Sequence, residues 1–249
     1  SCPRFTAMTP ATPHMHKPTP APRLLDDELV LLAELVPLAG QQVIELGCGA
    51  ARLARALLAR YPDSHVTGLE VDARQHALNL AAPQQPGLVF VAAGAEAIPA
   101  ADQSVDLALM LKSLHHVPVS HMAQALDEIA RVLRPGGHLY VSEPVYDGPL
   151  NELVRLYNDE GTVRAAAQAA LDTALRTGRW SQVSECRFDT PVAFRDFPEF
   201  EQRMMRPTYA DHRLDDTKIA AVRARFAPHC GPLGAQFTRP MHVRLLRRD

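Results

Sequence analysis

The stretch ELGCGAARL, residues 45–53, decides the fold. It follows a short apolar run and leads into a segment whose apolar residues have helical spacing. Gly47 and Gly49 let the backbone turn sharply and approach a ligand at a distance that a Cβ atom would prevent. A strand, a glycine loop and a helix in this order are typical of the ligand-binding turn at the carboxyl edge of a parallel sheet.

Strand-like and helical runs alternate on both sides of this loop. Such a rhythm produces βαβ units. We therefore predict an α/β protein with a mostly parallel, seven-stranded sheet and helices on both faces. The predicted strands before Pro144 are residues 43–46, 65–71, 88–93, 105–111 and 138–143.

Beyond Pro144 the alternation stops. Residues 147–180 are rich in Ala, Leu and Arg and predict two helices without a strand between them. Two strand-like runs, 188–194 and 235–246, are expected to complete the sheet, the last one antiparallel. We predict a flexible Pro/Thr-rich arm at residues 1–22, followed by a single domain at residues 23–249. The domain has three parts: a core at residues 40–145, a helical lid insertion after strand five at about 147–185, and a C-terminal part at 186–249.

The composition restricts the classes of function. The chain has 249 residues, 47% of them hydrophobic, a formal net charge of -2 and a pI near 6.6. This balance favours neither a nucleic-acid nor an anionic membrane partner. No apolar run is long enough to span a bilayer, and the first residues show no signal-peptide pattern. The scattered cysteines, without metal-type spacing, predict a cytoplasmic protein with reduced thiols: Cys2, Cys48, Cys186 and Cys230.

The residues around the glycine loop select the ligand. A phosphate-binding P-loop requires a lysine and a hydroxyl that the AARL run lacks, and a dinucleotide fingerprint requires glycine at Arg52. Glu45 would repel a pyrophosphate but suits an ammonium group. Glu70 ends the second strand about 20 residues beyond the loop, where a carboxylate accepts both ribose hydroxyls. S-adenosylmethionine, a nucleoside with an amino-acid tail, satisfies both acids.

Four motifs in order resemble those of the class I (Rossmann-like) S-adenosylmethionine-dependent methyltransferases, in particular their small-molecule branch. They are VIELGCGAARLA, GLEVD, AEAIPAADQSVDLALMLKSLHHV and RVLRPGGHLYVSEP, and together they cover residues 43–144. The resemblance implies a transferase that moves a methyl group by in-line displacement onto a small-molecule acceptor.

The resemblance also implies roles for single residues. Glu45 and the loop line the methionine end of the donor, Glu70 binds the ribose and Val71 packs on the adenine. The family's acid for the adenine amino group aligns with Gly94, so this carboxylate is either missing or displaced to Glu96. The predicted cofactor-binding residues are Glu45, Gly47, Cys48, Gly49, Glu70, Val71, Gly94, Ala95, Glu96 and Leu111.

Two further positions depart from simple expectation. Cys48 lies inside the loop, where a small apolar residue commonly serves packing. Ala51 replaces the family's frequent third glycine, which we expect to be tolerated because helix packing, not backbone conformation, is the constraint.

The candidates for a general base are His115, His116 and Tyr146, chosen by their location near the ends of strands four and five. Adjacent side chains of an extended chain point to opposite faces, so His115 and His116 are not expected to share a metal, and no metal is predicted. Tyr157 is a weaker acceptor-site candidate. The polar run RPTYADHR, residues 206–213, faces either the acceptor or the solvent.

Other functions stay open at this point. The chain can be an S-adenosylmethionine-binding protein without methyl transfer, acting as a sensor or in a non-methylating reaction. A nicotinamide-dependent oxidoreductase and an RNA methyltransferase are further alternatives. The partners expected are a small-molecule acceptor, no nucleic acid and no membrane, for a monomer or a homodimer.

Overall fold

A computed structural model describes residues 21–249 of the chain. The predicted flexible arm, residues 1–22, lies outside the described residues except for its last two. One sheet organises the described part, with the strand order β1-β7-β9-β6-β5-β2-β3-β4 and β8 paired to β9. The strands are β1 (Arg23–Leu24), β2 (Gln42–Leu46), β3 (His65–Glu70), β4 (Leu88–Ala92), β5 (Val105–Leu111), β6 (Leu133–Pro144), β7 (Trp180–Phe194), β8 (Cys230–Gly231) and β9 (Gly234–Arg248).

Helices cover both faces of this sheet, as the alternation predicts. The α-helices are α1 (Glu28–Leu35), α2 (Arg52–Arg60), α3 (Ala73–Ala81), α4 (Val119–Val132), α5 (Pro149–Val154), α6 (Gly161–Leu175), α7 (Phe197–Phe200) and α8 (Asp216–Phe226). A 3₁₀ turn at Leu114–His116 and a π-helical turn at Glu201–Met205 interrupt the loops. No helix within residues 21–249 combines the length and the apolar character that crossing a bilayer requires.

The parallel part of the sheet consists of β4, β3, β2, β5 and β6. Side chains alternate across it, so neighbouring residues of β2 enter different cores. Val43 packs in the cluster that contains α1 and α2 residues, and Ile44 packs in the cluster under α4 and α6. Because β2, β3, β5 and β6 run parallel, their carboxyl ends meet at one edge of the sheet. Open α/β sheets bind ligands at this edge.

The α/β prediction is confirmed, with one difference in strand count. The sheet has nine strands in the described residues, because the two-residue strands β1 and β8 join the seven predicted ones. β9 is antiparallel to β6 and β7, as expected for the last strand.

The helical insertion is shorter than predicted. α6 ends at Leu175 and β7 already begins at Trp180, where it pairs with Arg248 of β9. β7 lies near the edge of the sheet and is half exposed, so its first half, WSQVSEC, carries little of the apolar signal from which strands are predicted. β6 begins at Leu133, before the predicted start at residue 138, and its first residues are irregular, with Gly136 at φ 81°.

A separate aromatic cluster supports the C-terminal part. Its core residues come from α5, α7, α8 and the adjoining ends of β7 and β9, and its aromatic members are Tyr157, Phe194, Phe197, Phe200, Phe226 and Phe237. Their rings meet mostly edge to face, at centroid distances that suit aromatic packing. This cluster anchors α5 and the π-helical turn, which lie beside the cavity at the carboxyl edge of the sheet.

Candidate active site

A cavity of about 1580 Å³ lies at the carboxyl edge of the parallel strands. Ligand sites for single small molecules usually measure roughly 300–1,000 Å³, so this cavity has room for two ligands side by side. Every residue predicted to bind the cofactor contributes to its wall, and so do His115 and His116. The cavity therefore unites residues that the sequence places far apart.

The glycine loop forms one end of the cavity. Gly47 has φ 68°, and a Cβ atom added to it would lie 2.8 Å from Cβ of Ser113. Ser113 cannot move away cheaply, because its hydroxyl donates to the carbonyl of Leu46 at 2.7 Å. Gly49 has φ 53° with open space around it, so conformation alone requires glycine there. The first glycine is thus fixed by both space and conformation.

Ala51 corrects one expectation. It has φ 55°, a left-handed conformation at the N-cap of α2, and it is fully buried. The backbone conformation is therefore a constraint at this position, in addition to helix packing. A non-glycine residue in this region costs about 1–2 kcal/mol, and the alanine carries that strain within the loop.

Glu70 is held rigidly beside the loop. Its Oε2 accepts from the backbone N–H of Gly49 and its Oε1 from that of Asp72, both at 2.9 Å. Each carboxylate oxygen keeps a second lone pair, so both remain able to accept a ribose hydroxyl. Asn79 supports the same loop, since its amide donates to the carbonyl of Gly49 at 2.8 Å. Spacing alone gave no signal for Asn79.

Glu45 is the most unusual group of the site. It is 4% exposed, and its Oε2 has no hydrogen-bond partner among residues 21–249. Burial, followed by the charge of Glu28, raises the pKa of Glu45 to about 8. Glu28 is half-buried, and this desolvation raises its pKa, although the hydroxyl of Tyr140 donates to it at 2.8 Å. A buried carboxylate with an unpartnered oxygen, next to a second acid, favours a cationic ligand group.

The residues predicted to meet the adenine provide an apolar and an acidic part of the cavity wall. Val71 is 73% exposed although it is apolar, and it forms part of the cavity wall. The carboxylate of Glu96 lies over Gly94, with both oxygens 2.5 Å from the position of an added Cβ atom. The carboxyl group of Glu96 thus fills the space that a side chain at residue 94 would occupy. Of the two alternatives for the adenine carboxylate, this geometry favours displacement to Glu96.

Cys48 packs beneath the loop while it contributes to the cavity wall. Its sulfur lies 2.9 Å from where a Cβ atom on Gly68 would be, and the residue is 6% exposed. Burial raises the pKa of the thiol to about 12, so it remains protonated and unreactive at neutral pH.

His115 and His116 lie on the same side of the chain, which contradicts the expectation of opposite faces. They belong to a 3₁₀ turn rather than to extended chain, and their rings are 4.1 Å apart. His115 is buried, with Nδ1 hydrogen-bonded to Glu143 and Nε2 3.5 Å from Oε2 of Glu160. Burial, and then the charge of His115, lowers the pKa of His116, whose ring meets the edge of Tyr209.

Three potential metal ligands therefore come together in the part of the cavity wall that the 3₁₀ turn forms. His115, His116 and Glu160 place ligand atoms within 4.8 Å of one another. Glu160 is also engaged by protein groups, because Arg164 donates to its Oε2 at 2.7 Å and Asn158 to its Oε1 at 3.0 Å. The arrangement reads as a hydrogen-bonded ion-pair network, and the expectation of no metal stays a prediction.

Tyr146 lies outside this constellation. Its hydroxyl donates to Asp159 at 2.7 Å, the residue is 38% exposed, and it does not contribute to the cavity wall. The hydrogen bond to Asp159 raises the pKa of its phenol, so the phenol stays protonated at neutral pH and is not available to accept a proton. The structure therefore does not bring Tyr146 to the site.

The polar run at residues 206–213 faces the cavity and not the bulk solvent alone. Pro207, Thr208, Tyr209 and His212 contribute to the cavity wall. The hydroxyl of Thr208 donates to Asp72 at 2.9 Å, which ties this run to the residue that follows β3. Sequence reasoning missed Lys112 and Arg239, which also lie in the wall. Lys112 lies directly after β5 and has φ 54°. A lysine does not indicate a left-handed conformation, so the sequence alone does not predict this turn.

Comparisons with known proteins agree with this geometry. Residues 44–141 match the family described as a methyltransferase domain. A phthiotriol/phenolphthiotriol dimycocerosates methyltransferase of Mycobacterium leprae is 39% identical over 111 residues, which is 43% of this chain and 39% of the relative. The chain thus matches only about two fifths of that relative's length.

Two solved structures share the fold. The YcgJ protein of Bacillus subtilis has a TM-score of 0.62 at 16% identity, covering 89% of this chain and 98% of the other. The [4+2]-cyclase SpnF has a TM-score of 0.59 at 20% identity, covering 90% of this chain and 81% of the other. At these identities the likeness concerns the fold alone. One of the two proteins is named as a cyclase and not as a methyltransferase.

Proposed function

Because residues 44–141 form a class I S-adenosylmethionine-dependent methyltransferase domain, we propose that the protein transfers a methyl group from S-adenosylmethionine to a small-molecule acceptor. The observation that carries the proposal is Glu45, a buried carboxylate with an unpartnered oxygen beside the glycine loop. A group of this kind needs a positive charge opposite it. The donor has an ammonium group to meet it.

The donor half of the cavity fits this molecule from end to end. Glu45 faces the ammonium group, Glu70 accepts the ribose hydroxyls, and Val71 and Glu96 meet the adenine face and its amino group. Lys112 makes no side-chain hydrogen bond or ion pair within residues 21–249, and it is the partner we assign to the donor carboxylate. A nicotinamide dinucleotide fits worse, because its pyrophosphate would lie against Glu28 and Glu45.

The reaction places modest demands on the protein. The donor, when bound, supplies a methyl group already made electrophilic by its sulfonium. The chain aligns the acceptor in line with that group and excludes water, effects that lower a barrier by about 7–11 kcal/mol when reactants are well oriented. α5, α6 and residues 206–213 close the acceptor side and provide this exclusion.

His116 is the base we assign if the acceptor loses a proton. Its lowered pKa keeps the imidazole neutral at pH 7, and its ring lies at the cavity wall. His115 is a positioning residue in this scheme, because Glu143 holds its Nδ1 and it stacks against His116. A neutral imidazole next to the acceptor takes up a proton without any metal.

A small acceptor suits the charge of the chain better than a nucleic acid does. The formal net charge is -2, whereas RNA affinity comes largely from many phosphate contacts with cationic groups. The name of the Mycobacterium leprae relative gives phthiotriol and phenolphthiotriol dimycocerosates, and not a nucleic acid, as what that protein methylates. In this proposal residues 23–249 act as one domain, with the helical lid over the acceptor.

The second candidate function is donor binding without methyl transfer. The observation that favours it is the absence of an acid at residue 94, where Gly94 stands with the carboxylate of Glu96 lying over it, because altered adenine recognition can accompany a different use of the cofactor. The fold likeness to a cyclase shows that this architecture is compatible with other reactions.

One experiment separates these functions. The protein is incubated with a cell extract and isotopically labelled S-adenosylmethionine, and mass spectrometry identifies what gains the methyl group. We expect S-adenosylhomocysteine and one labelled metabolite, while calorimetry shows binding of the donor and none of NAD at the same concentration. Tight donor binding without any product would replace the transferase by the second candidate. Label in RNA alone would assign an RNA methyltransferase.

A further inference from the structure

Arg239 stands out among the cationic residues of the cavity. It lies in β9 opposite Thr190 of β7, close to the carboxyl end of β6, and forms part of the cavity wall. Its guanidinium makes no hydrogen bond or ion pair with any residue of the described chain, 21–249. Two other wall arginines are engaged: Arg164 binds Glu160 at 2.7 Å, and Arg203 donates to the carbonyl of Ala193 at 2.9 Å. The fourth arginine of the wall, Arg52, also has no partner within residues 21–249, but its side chain is exposed to solvent, whereas Arg239 is half-buried.

The charge of Arg239 is poorly compensated. Burial lowers the pKa of its guanidinium, and the charge of Arg164 lowers it further. The charge of Glu160 raises the pKa of Arg239 again, but Glu160 is already bound by Arg164. Burial raises the pKa values of Tyr157 and Tyr209, so their phenols stay neutral. Arginine keeps its charge in proteins, and a desolvated charge without a partner is costly.

A second unpartnered donor belongs to the same wall. Asn151 of α5 is 8% exposed; its Oδ1 accepts from Arg164 at 3.2 Å, and its Nδ2 has no partner in the part of the chain described. Both Arg239 and Asn151 therefore offer N–H groups. Apolar side chains accompany them in the wall: Leu150, Val154, Met204 and Met241.

We propose that this wall binds an anionic group of the acceptor, a carboxylate or a phosphate monoester, attached to an apolar body. The inference rests on the proposed function, since it names the class of acceptor for that site. A guanidinium presents parallel N–H groups that match the two oxygens of either anion. The anion orients the acceptor, while its apolar part packs against the methionines.

The test uses the full chain saturated with S-adenosylhomocysteine and three probes of one chain length: octanoate, octyl phosphate and octanamide. Calorimetry measures each dissociation constant for the wild type, Arg239→Gln, Arg239→Lys and the control Arg155→Gln. Arg155 is an apt control because it pairs with Glu152 on the exposed side of the lid, away from the cavity wall. We expect at least one anionic probe to bind tenfold or more tighter than octanamide.

The variants test whether Arg239 causes the preference for the anionic probes. Arg239→Gln should abolish the preference for the anion, Arg239→Lys should retain part of it, and Arg155→Gln should keep all of it. The ratio between octanoate and octyl phosphate tells which anion the wall accepts. S-adenosylhomocysteine should bind all four proteins within about twofold of the same affinity.

Three results would overturn the inference. Equal binding of all probes to the wild type would remove the anion subsite while leaving the proposed function intact. A loss of S-adenosylhomocysteine affinity in Arg239→Gln would assign the guanidinium to the donor carboxylate instead. Failure of S-adenosylhomocysteine to bind the wild type would remove the proposed function itself, and the anion subsite with it.

Discussion

The cavity has two proposed halves, a donor half around the glycine loop and Glu70 and an acceptor half around His115, His116 and Glu160, and they are built in different ways. In the donor half, backbone groups hold the functional side chains: both oxygens of Glu70 accept backbone N–H groups, and Asn79 donates to a loop carbonyl. In the acceptor half, side chains from distant segments hold one another, as in the network of Glu143, His115 and Glu160. Backbone support is shared by any sequence with the same turn, whereas side-chain support depends on each residue.

This difference predicts where substitutions act. Changes in the donor half should affect binding of one fixed ligand, and they should be severe where the backbone itself is constrained. Changes in the acceptor half should mainly alter rate and selectivity.

The largest effect is expected for Gly47→Ala. The new Cβ atom would lie 2.8 Å from Cβ of Ser113 at φ 68°, so the loop must move. Strain of about 1–2 kcal/mol and overpacking of about 1–3 kcal/mol add up to a loss of donor affinity of roughly a hundredfold or more. Calorimetry with S-adenosylhomocysteine measures it. Gly136→Ala is the control, because it has φ 81° with open space around it and lies at the opposite end of β6; unchanged affinity in Gly47→Ala would show that the loop does not carry the donor.

The second effect, ten- to a hundredfold, is expected for Glu45→Gln. A charge-assisted contact is worth about 1.5–3 kcal/mol. Because the pKa of Glu45 is about 8, the free protein holds this carboxyl protonated at pH 6, and binding an ammonium group must release the proton. Wild-type affinity should therefore rise as the pH rises from 6 to 8, and the rise should be missing in Glu45→Gln. Calorimetry in buffers of different ionisation enthalpy counts the proton released; a flat wild-type profile would contradict the role assigned to Glu45.

The same substitution should change stability in the opposite direction. The folded-state pKa of Glu45 lies above the ordinary glutamate value of 4.5, so its contribution to the free energy of unfolding is complete below pH 4.5 and is lost as the pH rises through about 8. Glu45→Gln should thus be more stable than the ligand-free wild type at pH 8 by a few kcal/mol, since one pKa unit corresponds to about 1.4 kcal/mol. At pH 5 the two should differ little. Urea unfolding at both pH values tests this, and it would show a group retained for binding at the expense of stability.

The acceptor half provides the third effect. His116→Gln should lower the turnover number about tenfold and leave donor affinity unchanged, because the residue touches the acceptor side. This is below the usual 10²–10⁴ of general-base catalysis, since the sulfonium leaves little work for a base. Formation of S-adenosylhomocysteine with the acceptor found in the extract measures the rate. His138→Gln, in the middle of β6 and outside the cavity wall, is the control; a loss equal in both variants would indicate a merely structural effect.

The sequence predicted the donor half well for a physical reason. Its groups lie within a few residues of the strand ends, so the order of strand, loop and helix already places Glu45, the glycines and Glu70 at one edge. The cavity wall contains all of them. Their contacts with the donor itself stay predictions.

The acceptor half could not be predicted in the same way. Glu160, Arg239 and Thr208 come from elements far apart in the chain, and only the folding of β7 and β9 beside β6 brings them together. The expected directions of His115 and His116 were wrong because a 3₁₀ turn replaces the extended chain there. Such a turn depends on contacts such as the bond from the N–H of Leu114 to Glu143, which no local pattern reveals.

The smallest effect, Ala51→Gly, tests how finely the donor half is adjusted. Glycine would relieve the strain of φ 55°, about 1–2 kcal/mol. It would also remove a fully buried methyl group, worth about 0.8 kcal/mol, and give the unfolded chain freedom worth about 0.4–1 kcal/mol. These terms nearly cancel, so we expect the free energy of unfolding to change by less than about 1 kcal/mol. Ala51→Val places a branched side chain in the same backbone conformation. It should lower the free energy of unfolding by several times the change expected for Ala51→Gly. If both variants unfold alike in urea, backbone conformation is not the constraint at residue 51; if they differ as expected, alanine persists there because its methyl group offsets the strain it causes.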